Sequence, residues 1–280
     1  MDNDEFLIHT TIRIEAFLPN STISTGTGFF FTFFEDEEQK IPAIITNKHV
    51  IEGAYKIVLR FSLKENDKFI EGQIHTFEIV DLENFVIRHP DNNIDLCMIA
   101  IAPLISSFHQ QNKKLFFTTL TKKEIMSEEY LQKNISNIED ITVVGYPDGI
   151  WDSANNLPIV RKGITATSLK YDFERTPKFL IDSAIYNGSS GSPVFIFNQG
   201  SYAIKNNLYA GGRVILVGIV YAVTQHTVSG DIKIVLAPAT NTKPISITNI
   251  PNNLGVVIKA NKILDFEQIL SEKLNQAKNS

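Results

Sequence analysis

Short stretches rich in Ile, Val, Phe and Thr recur at close intervals along the chain, with Gly, Asn, Asp or Pro between them. In the first half they fall at 11–17, 27–34, 41–46, 55–62, 75–82 and 96–101. This pattern predicts many short strands in a barrel or sandwich. The stretch 106–115 is polar with few strand formers, and reads as linker. Within 121–131, Ile125, Met126 and the run from Glu129 to Leu131 sit at helical offsets, which predicts a short helix. A second strand set follows at 141–144, 159–167, 179–185, 194–197, 214–223 and 231–236, with a last strand at Val256-Val257-Ile258. Ile263, Leu264, Phe266, Ile269, Leu270 and Leu274 then recur at three- and four-residue steps, the mark of an amphipathic C-terminal helix. The organisation expected is a β region over 1–105, a linker with a short helix over 106–138, a β region over 139–260, and a helix and tail over 261–280. No solenoid-type repeat is visible.

Composition narrows the classes. The chain has 280 residues, 43% of them hydrophobic, enough for a substantial core. The net charge is -5, with no long Lys/Arg run, so no nucleic-acid footprint is expected. The first residues, MDNDEFLIHT, are acidic and lack the pattern of a signal peptide. The most apolar stretch, Phe29 to Phe34, is strand-sized and too short for a membrane span. A single cysteine, Cys97, permits no intrachain disulfide, and the expectation is a reducing, cytoplasmic compartment with Cys97 packed in the core. No Cys/His cluster suggests a metal, and no cofactor is expected.

The candidate chemistry lies in Gly188-Ser189-Ser190-Gly191-Ser192-Pro193, between apolar strands. Glycine allows the positive φ of a tight turn, and proline fixes φ where the chain leaves it. Such a turn holds a hydroxyl in place and points backbone N–H groups at it. A plain Ser/Gly hairpin loop would look the same in isolation. Acyl transfer by a serine also needs a base to take the hydroxyl proton, a carboxylate to orient the base, and N–H donors for the oxyanion. Of six histidines, His9, His75, His89 and His109 lie in polar or loop-like contexts and are assigned to the surface. His49 closes the apolar stretch Ala43-Ile44-Ile45-Thr46. Asp95 precedes Leu96-Cys97-Met98-Ile99-Ala100-Ile101, and an aspartate entering so apolar a strand is costly to bury without a partner.

Five segments carry a family resemblance. They are Gly26-Thr27-Gly28-Phe29, Thr46-Asn47-Lys48-His49-Val50, Asn93-Ile94-Asp95-Leu96-Cys97, Val144-Gly145-Tyr146-Pro147-Asp148-Gly149, and Asp182 through Pro193. Together they resemble the glycine-rich strand, histidine motif, aspartate motif, G-x-P-x-G loop and nucleophile block of trypsin/chymotrypsin-fold serine proteases, closest to the disulfide-free HtrA-like branch. The order His, Asp, Ser is the order of that fold. Ser190-Gly191-Ser192-Pro193 stands where the family often has S-G-G-P. No peptide-binding domain of the HtrA branch is expected after the C-terminal helix, and the loops 150–156 and 224–253 look long.

The resemblance implies an all-β fold of two six-stranded antiparallel barrels with a C-terminal helix, and a serine endopeptidase acting on a protein or peptide substrate. It implies Ser190 as nucleophile, His49 as general base and acid, Asp95 as the group that orients His49, and the Gly188 and Ser190 N–H groups as the oxyanion hole. It also implies that Ala184 floors the primary pocket and that Tyr221-Ala222-Val223 pairs with the substrate backbone. An uncharged floor and a valine at the mouth point to cleavage after small or medium apolar residues. A shifted alignment would bring His226 into the pocket and favour Glu. Asp182 is read as structural. Two other readings fit the same residues. One is a catalytically silent module that binds extended peptides by sheet addition. The other is a protease held off until an activating protein partner orders its loops.

Overall fold

The computed structural model describes residues 2–37, 39–111, 114–205, 207–231 and 245–278, with side chains described outside 222–252 and 277–278. The N-terminal half runs α1 (Asn3–Ile8), β1 (Thr11–Phe17), β2 (Ile23–Phe33), β3 (Ile41–Thr46), α2 (Lys48–Ile51), β4 (Lys56–Glu65), β5 (Lys68–Val80), β6 (Val86–Arg88) and β7 (Cys97–Ala100). The middle holds α3 (Ala102–Gln110), β8 (Leu115–Phe116) and α4 (Glu128–Asn134). Then come β9 (Asp140–Gly145), β10 (Ile159–Thr165), β11 (Lys178–Asp182), β12 (Pro193–Asn198), β13 (Ser201–Ile204), β14 (Asn207–Ala210), β15 (Arg213–Asp231), β16 (Ile245–Lys259) and α5 (Phe266–Lys278).

The fold is mostly β with a C-terminal helix. The second half closes into a barrel of six strands, β10-β11-β16-β15-β12-β9. The first half is a sheet of eight strands ordered β5-β4-β1-β2-β3-β7-β6, with β8 beside β4. It therefore has more strands than the six expected, because the short segment β6 adds to one edge and the two-residue β8 pairs with the end of β4.

Among the described residues three cores explain the apolar runs. The first sheet encloses Ile12, Ile14, Phe30, Ile44, Ile57, Leu59, Cys97 and Ile99. The closed barrel encloses Ile141, Val143, Phe179, Ile181, Val194, Ile196, Val217 and Val257. A third core lies between the halves and contains Phe29, Phe31, Phe33, Ala43, Ile45, Met98, Val144, Phe195, Leu216 and Ile219. Side chains alternate faces along a strand. So β2 sends Phe30 into its own sheet and Phe29, Phe31 and Phe33 into the shared core. A strand buried on both faces reads as a continuous apolar run, which is why 29–34 lacks alternation. The C-terminal segment closes the shared core with Ile263, Phe266 and Leu270.

Several elements differ from expectation. The stretch 106–115 is not all linker, since Ala102–Gln110 is helical, with a proline in its first turn and Leu104 and Phe108 buried. The helix expected in 121–131 starts later. Thr121 and Glu124 form a capping box around a single tight turn, Ile125 is extended, and Ser127 accepts from the Tyr130 N–H to start α4. β5 begins at Lys68, ahead of the expected 75, because Asn66 and Asp67 take φ of 50° and 59° and fold it back on β4. That left-handed pair suits a two-residue hairpin. α1 and the β13–β14 hairpin carried no clear apolar pattern. Of the strand expected at 231–236, residues 232–236 lie outside the described residues. His9 and His89 are not on the surface. His9 is 8% exposed and packs between Phe69 and Phe116. His89 is 2% exposed and its Nδ1 accepts from the Asp91 N–H at 3.1 Å, while its Nε2 lies 3.1 Å from the Lys262 carbonyl. The rings that enclose His9 and the Lys262 carbonyl that meets His89 are distant in sequence. Among the described residues no helix is long and apolar enough to cross a membrane.

Cys97 is fully buried in the first sheet's core. Burial, then the charge of Asp95, pushes its thiol up to about 12. Since the thiolate is the reactive form, iodoacetamide at about pH 8 should leave native Cys97 unmodified and alkylate it fully in strong denaturant. Intact-mass measurement reads this out. Native alkylation at the rate of a free thiol would remove Cys97 from the core.

Candidate active site

β3 and β7 are neighbours, with Thr46 opposite Cys97. That register brings together the ends just outside the two strands. His49 lies in α2, the single turn after β3, and Asp95 lies two residues before β7. The His49 Nδ1 bonds Asp95 Oδ2, and the His49 backbone N–H donates to Asp95 Oδ1 at 3.2 Å. Asn47, fully buried, donates from its side chain to the Asp95 carbonyl at 2.7 Å and fixes the backbone there. The His49 side chain is 42% exposed and that of Asp95 20%, so the imidazole is the more open of the two and the carboxylate sits behind it. Burial pushes the Asp95 carboxyl up, but the hydrogen bond and charge of the His49 ring and the N–H groups of His49 and Lys48 outweigh it. They hold the group below the usual aspartate value.

Ser190 arrives from the other half of the molecule. Gly188 and Gly191 take φ of 80° and 87°, the left-handed region that glycine occupies without strain. A Cβ on Gly188 would lie 2.6 Å from the Tyr146 carbonyl, so the turn also needs glycine for space. The turn is held by its own bonds. The Ser189 N–H donates to the Tyr186 carbonyl at 3.1 Å, Ser192 N–H to the Ser189 carbonyl at 3.0 Å, and Gly191 N–H to the Val220 carbonyl at 2.9 Å. Among the described residues neither the Gly188 nor the Ser190 N–H has a protein acceptor. The Thr27 N–H of β2 donates to the Ser190 carbonyl at 2.9 Å and ties the turn to the first sheet.

Tyr221 links the two parts. The Ser190 hydroxyl donates to the Tyr221 carbonyl at 3.4 Å, and the Tyr221 ring meets the His49 ring edge-on, centroids 6.1 Å apart. Among the described residues no hydrogen bond joins Ser190 to His49. Catalytic hydrogen bonds are often long or unmade without substrate.

The remaining expected residues fall nearby. Ala184 is exposed, and its carbonyl accepts from the Arg161 guanidinium, which also lies 4.8 Å from the Tyr186 ring centroid. Ala222 and Val223 continue β15 opposite Val256 and Gly255, and His226 stands opposite Ile250; the side chains of all three lie outside the described residues. Asp182 is exposed at the end of β11. Sequence reasoning gave no role to Arg161, nor to Lys178, whose ammonium lies 4.5 Å from the Tyr221 ring centroid. Both contacts join residues distant in sequence and leave no local signal. A cavity of about 520 Å³ between α4 and the barrel, lined by Met126, Leu131, Leu169 and Lys259, contains none of the candidate residues. Among the described residues no group of three His, Cys, Asp or Glu side chains could hold a metal ion.

Solved structures with the same fold include an HtrA-type protease, AlgW, as a variant with a tripeptide. It is similar at 14% identity and a TM-score of 0.50, over 94% of this chain and 60% of that one. The active form of the Rv3671c protease from M. tuberculosis is similar at 15% identity and a TM-score of 0.45, over 94% of this chain and 84% of that one. The chain thus spans less than two thirds of the AlgW chain's length. No curated protein matches it. A family model for the trypsin-like peptidase domain matches residues 26–202, a span that takes in the His49, Asp95 and Ser190 motifs, and the chain belongs to that family.

Proposed function

We propose that this trypsin-like peptidase domain is a serine endopeptidase working in the cleft between two β-barrels, the first sheet serving as the N-terminal one. The observation that carries the reading is the His49–Asp95 pair beside a serine turn with two unoccupied N–H donors. Ser190 Oγ attacks the substrate carbonyl carbon and gives its proton to His49 Nε2. The oxyanion that forms is received by the Gly188 and Ser190 N–H groups. His49 then passes the proton to the departing amine, leaving an acyl-serine. A water, deprotonated by His49, hydrolyses that ester and frees Ser190. Asp95 holds the Nδ1–H tautomer and stabilises the imidazolium.

One observation favours gating as a second reading. The Ser190 hydroxyl rests on the Tyr221 carbonyl. A substrate strand laid along Tyr221-Ala222-Val223 brings its own N–H to that carbonyl and releases the hydroxyl toward His49. A protein partner that reshapes β15 acts at the same point. Labelling with a fluorophosphonate probe separates the readings. Wild type should label and Ser190→Ala should not, with kcat on a peptide ester lower by about 10⁴- to 10⁶-fold for Ser190→Ala or His49→Ala. Labelling that needs added lysate favours the gated form. A wild type that never labels leaves the silent peptide-binding module.

Asp95→Asn should lose roughly 10⁴-fold in kcat by favouring the wrong His49 tautomer. Its stability effect has a definite sign. A carboxyl held below its ordinary 3.8 stabilises the fold above that value and loses the contribution as pH falls through the depressed one. The melting-temperature gap between wild type and Asp95→Asn should therefore be full at neutral pH and shrink in strong acid. A gap independent of pH would contradict the Asp95 pairing.

For specificity, the reading is cleavage after small or medium apolar residues. Ala184 carries no charge, and fully buried Ile185 packs beside Gly255, where a Cβ would approach it to 3.0 Å. Each matched methylene is worth only ~1 kcal/mol, so the preference should be broad. Cleavage-site profiling in a proteome-derived peptide library tests it. A dominant Lys/Arg signal refutes the uncharged pocket, and a dominant Glu signal moves the determinant to Arg161 or His226.

A further inference from the structure

Thr27 is fully buried at the point where β2 meets the nucleophile turn. Its side chain belongs to the first half of the molecule, yet both of its hydroxyl partners belong to the second. Oγ1 donates to the Gly188 carbonyl at 3.0 Å and accepts from the Tyr146 N–H at 3.1 Å. The backbone of the same residue donates to the Ser190 carbonyl at 2.9 Å and accepts from Thr46 Oγ1 at 2.7 Å. Thr46 closes the strand that leads to His49. One residue therefore touches the histidine strand, the serine turn and the loop after β9.

The consequence concerns the Gly188 N–H. A peptide unit is planar and trans, so its N–H points opposite to its carbonyl. The carbonyl of the Asn187–Gly188 unit accepts from the Asp148 N–H at 2.5 Å, which turns the Gly188 N–H away from the 146–149 loop. The next carbonyl, that of Gly188, is held by Thr27. Gly188 alone can rotate freely here, since glycine has little φ/ψ preference. Fixing the carbonyls on both sides of it removes that freedom. Thr27 acts on both. It holds the Gly188 carbonyl directly, and through the Tyr146 N–H it seats the loop that presents the Asp148 N–H.

We propose that the Thr27 hydroxyl is a positioning residue that sets the direction of the Gly188 N–H, and so the oxyanion hole, from across the domain boundary. This rests on the proteolytic reading for its effect on rate, but not for its effect on structure. A hydroxyl supplies one donor and two acceptor sites. Serine supplies the same set, whereas isosteric valine supplies none.

The test compares Thr27→Val and Thr27→Ser with wild type, using fluorophosphonate labelling rate, kcat and KM on a peptide ester, and native-state amide hydrogen exchange. Thr27→Val should label and turn over roughly 10- to 100-fold more slowly, short of the ~10²–10³ for deleting an oxyanion donor, with KM within about threefold. Thr27→Ser should stay within about threefold of wild type on the same readouts. Exchange in Thr27→Val should rise in 144–149 and 186–192 and stay unchanged in the core strands. Thr27→Val labelling at the wild-type rate overturns the inference, as does a uniform rise in exchange or a Thr27→Ser variant as slow as Thr27→Val. Should Thr27→Val not fold, Thr27→Ala against Thr27→Ser carries the same comparison. A wild type that labels neither alone nor with added lysate overturns the proteolytic reading alone, and the exchange measurement still decides the role of Thr27.

Discussion

The structure depends on strands that are buried on both faces. β2, β3, β7, β9, β12 and β15 each send one set of side chains into their own sheet and the alternate set into the core between the halves. A slip of one residue in any of them exchanges the two sets. For β2 that would turn Phe29, Phe31 and Phe33 into the place of Phe30, where the inner core of the first sheet has no room for three rings. Truncating one such phenylalanine costs about 3–5 kcal/mol, a large part of the total stability of a domain. The register is thus specified twice over. The candidate active-site residues stand at or just beyond the ends of these strands, so their positions follow from the packing of the cores.

Within the site, burial and polarity oppose each other, and the residues around Asp95 decide the outcome. An unpaired buried carboxylate is strongly unfavourable. Asp95 instead receives the His49 ring, the backbone N–H of His49 and that of Lys48, and its carboxyl ends below the usual value in spite of its burial. The same contacts orient the imidazole. The Tyr221 ring meets the imidazole edge-on, and the Tyr221 carbonyl accepts from the Ser190 hydroxyl. The electrostatics that keep Asp95 ionised are therefore also the geometry that aims His49.

How far this could be read in the sequence depended on the range of the interactions. Thr11–Phe17 and Ile41–Thr46 are strands over the residues that the apolar pattern marks, because their burial pattern is local. The motifs around His49, Asp95 and Ser190 were visible because each is a short run of residues with a local backbone task. What was not visible is held together over distance. The polar first half of β5 is a strand because a left-handed Asn66-Asp67 pair folds it onto β4. His89 is buried because a carbonyl 173 residues away meets its ring. Thr27 sits inside the motif Gly26-Thr27-Gly28-Phe29, yet its hydroxyl partners lie 161 and 119 residues away, and no periodicity or turn signal marks such a residue.

The long loop between β9 and β10 gives the same lesson at larger scale. It begins at Tyr146–Gly149 against the serine turn, and its far end returns to the first sheet, where Asn156 donates to the Arg60 carbonyl and to the Ser62 hydroxyl. Between them Trp151 lies under the guanidinium groups of Arg13 and Arg60, 5.4 and 5.7 Å from its ring centroid, and Glu15 bonds both arginines. Two guanidinium groups on one ring repel each other, and the Glu15 carboxylate offsets that repulsion, so the stack depends on its charge. Burial pushes the Glu15 carboxyl up, but the two arginines outweigh it and hold the group below its ordinary 4.5. The stabilisation is present above that value and is lost as pH falls through the lower, folded one. Over the neutral range the loop is therefore fastened at three points, by hydrogen bonds to the serine turn at its start, by the charged stack on Trp151 in its middle, and by the Asn156 hydrogen bonds to the first sheet at its far end. The loop and Thr27 tie the serine turn to the half of the molecule that carries His49 and Asp95 by two routes that meet at Tyr146.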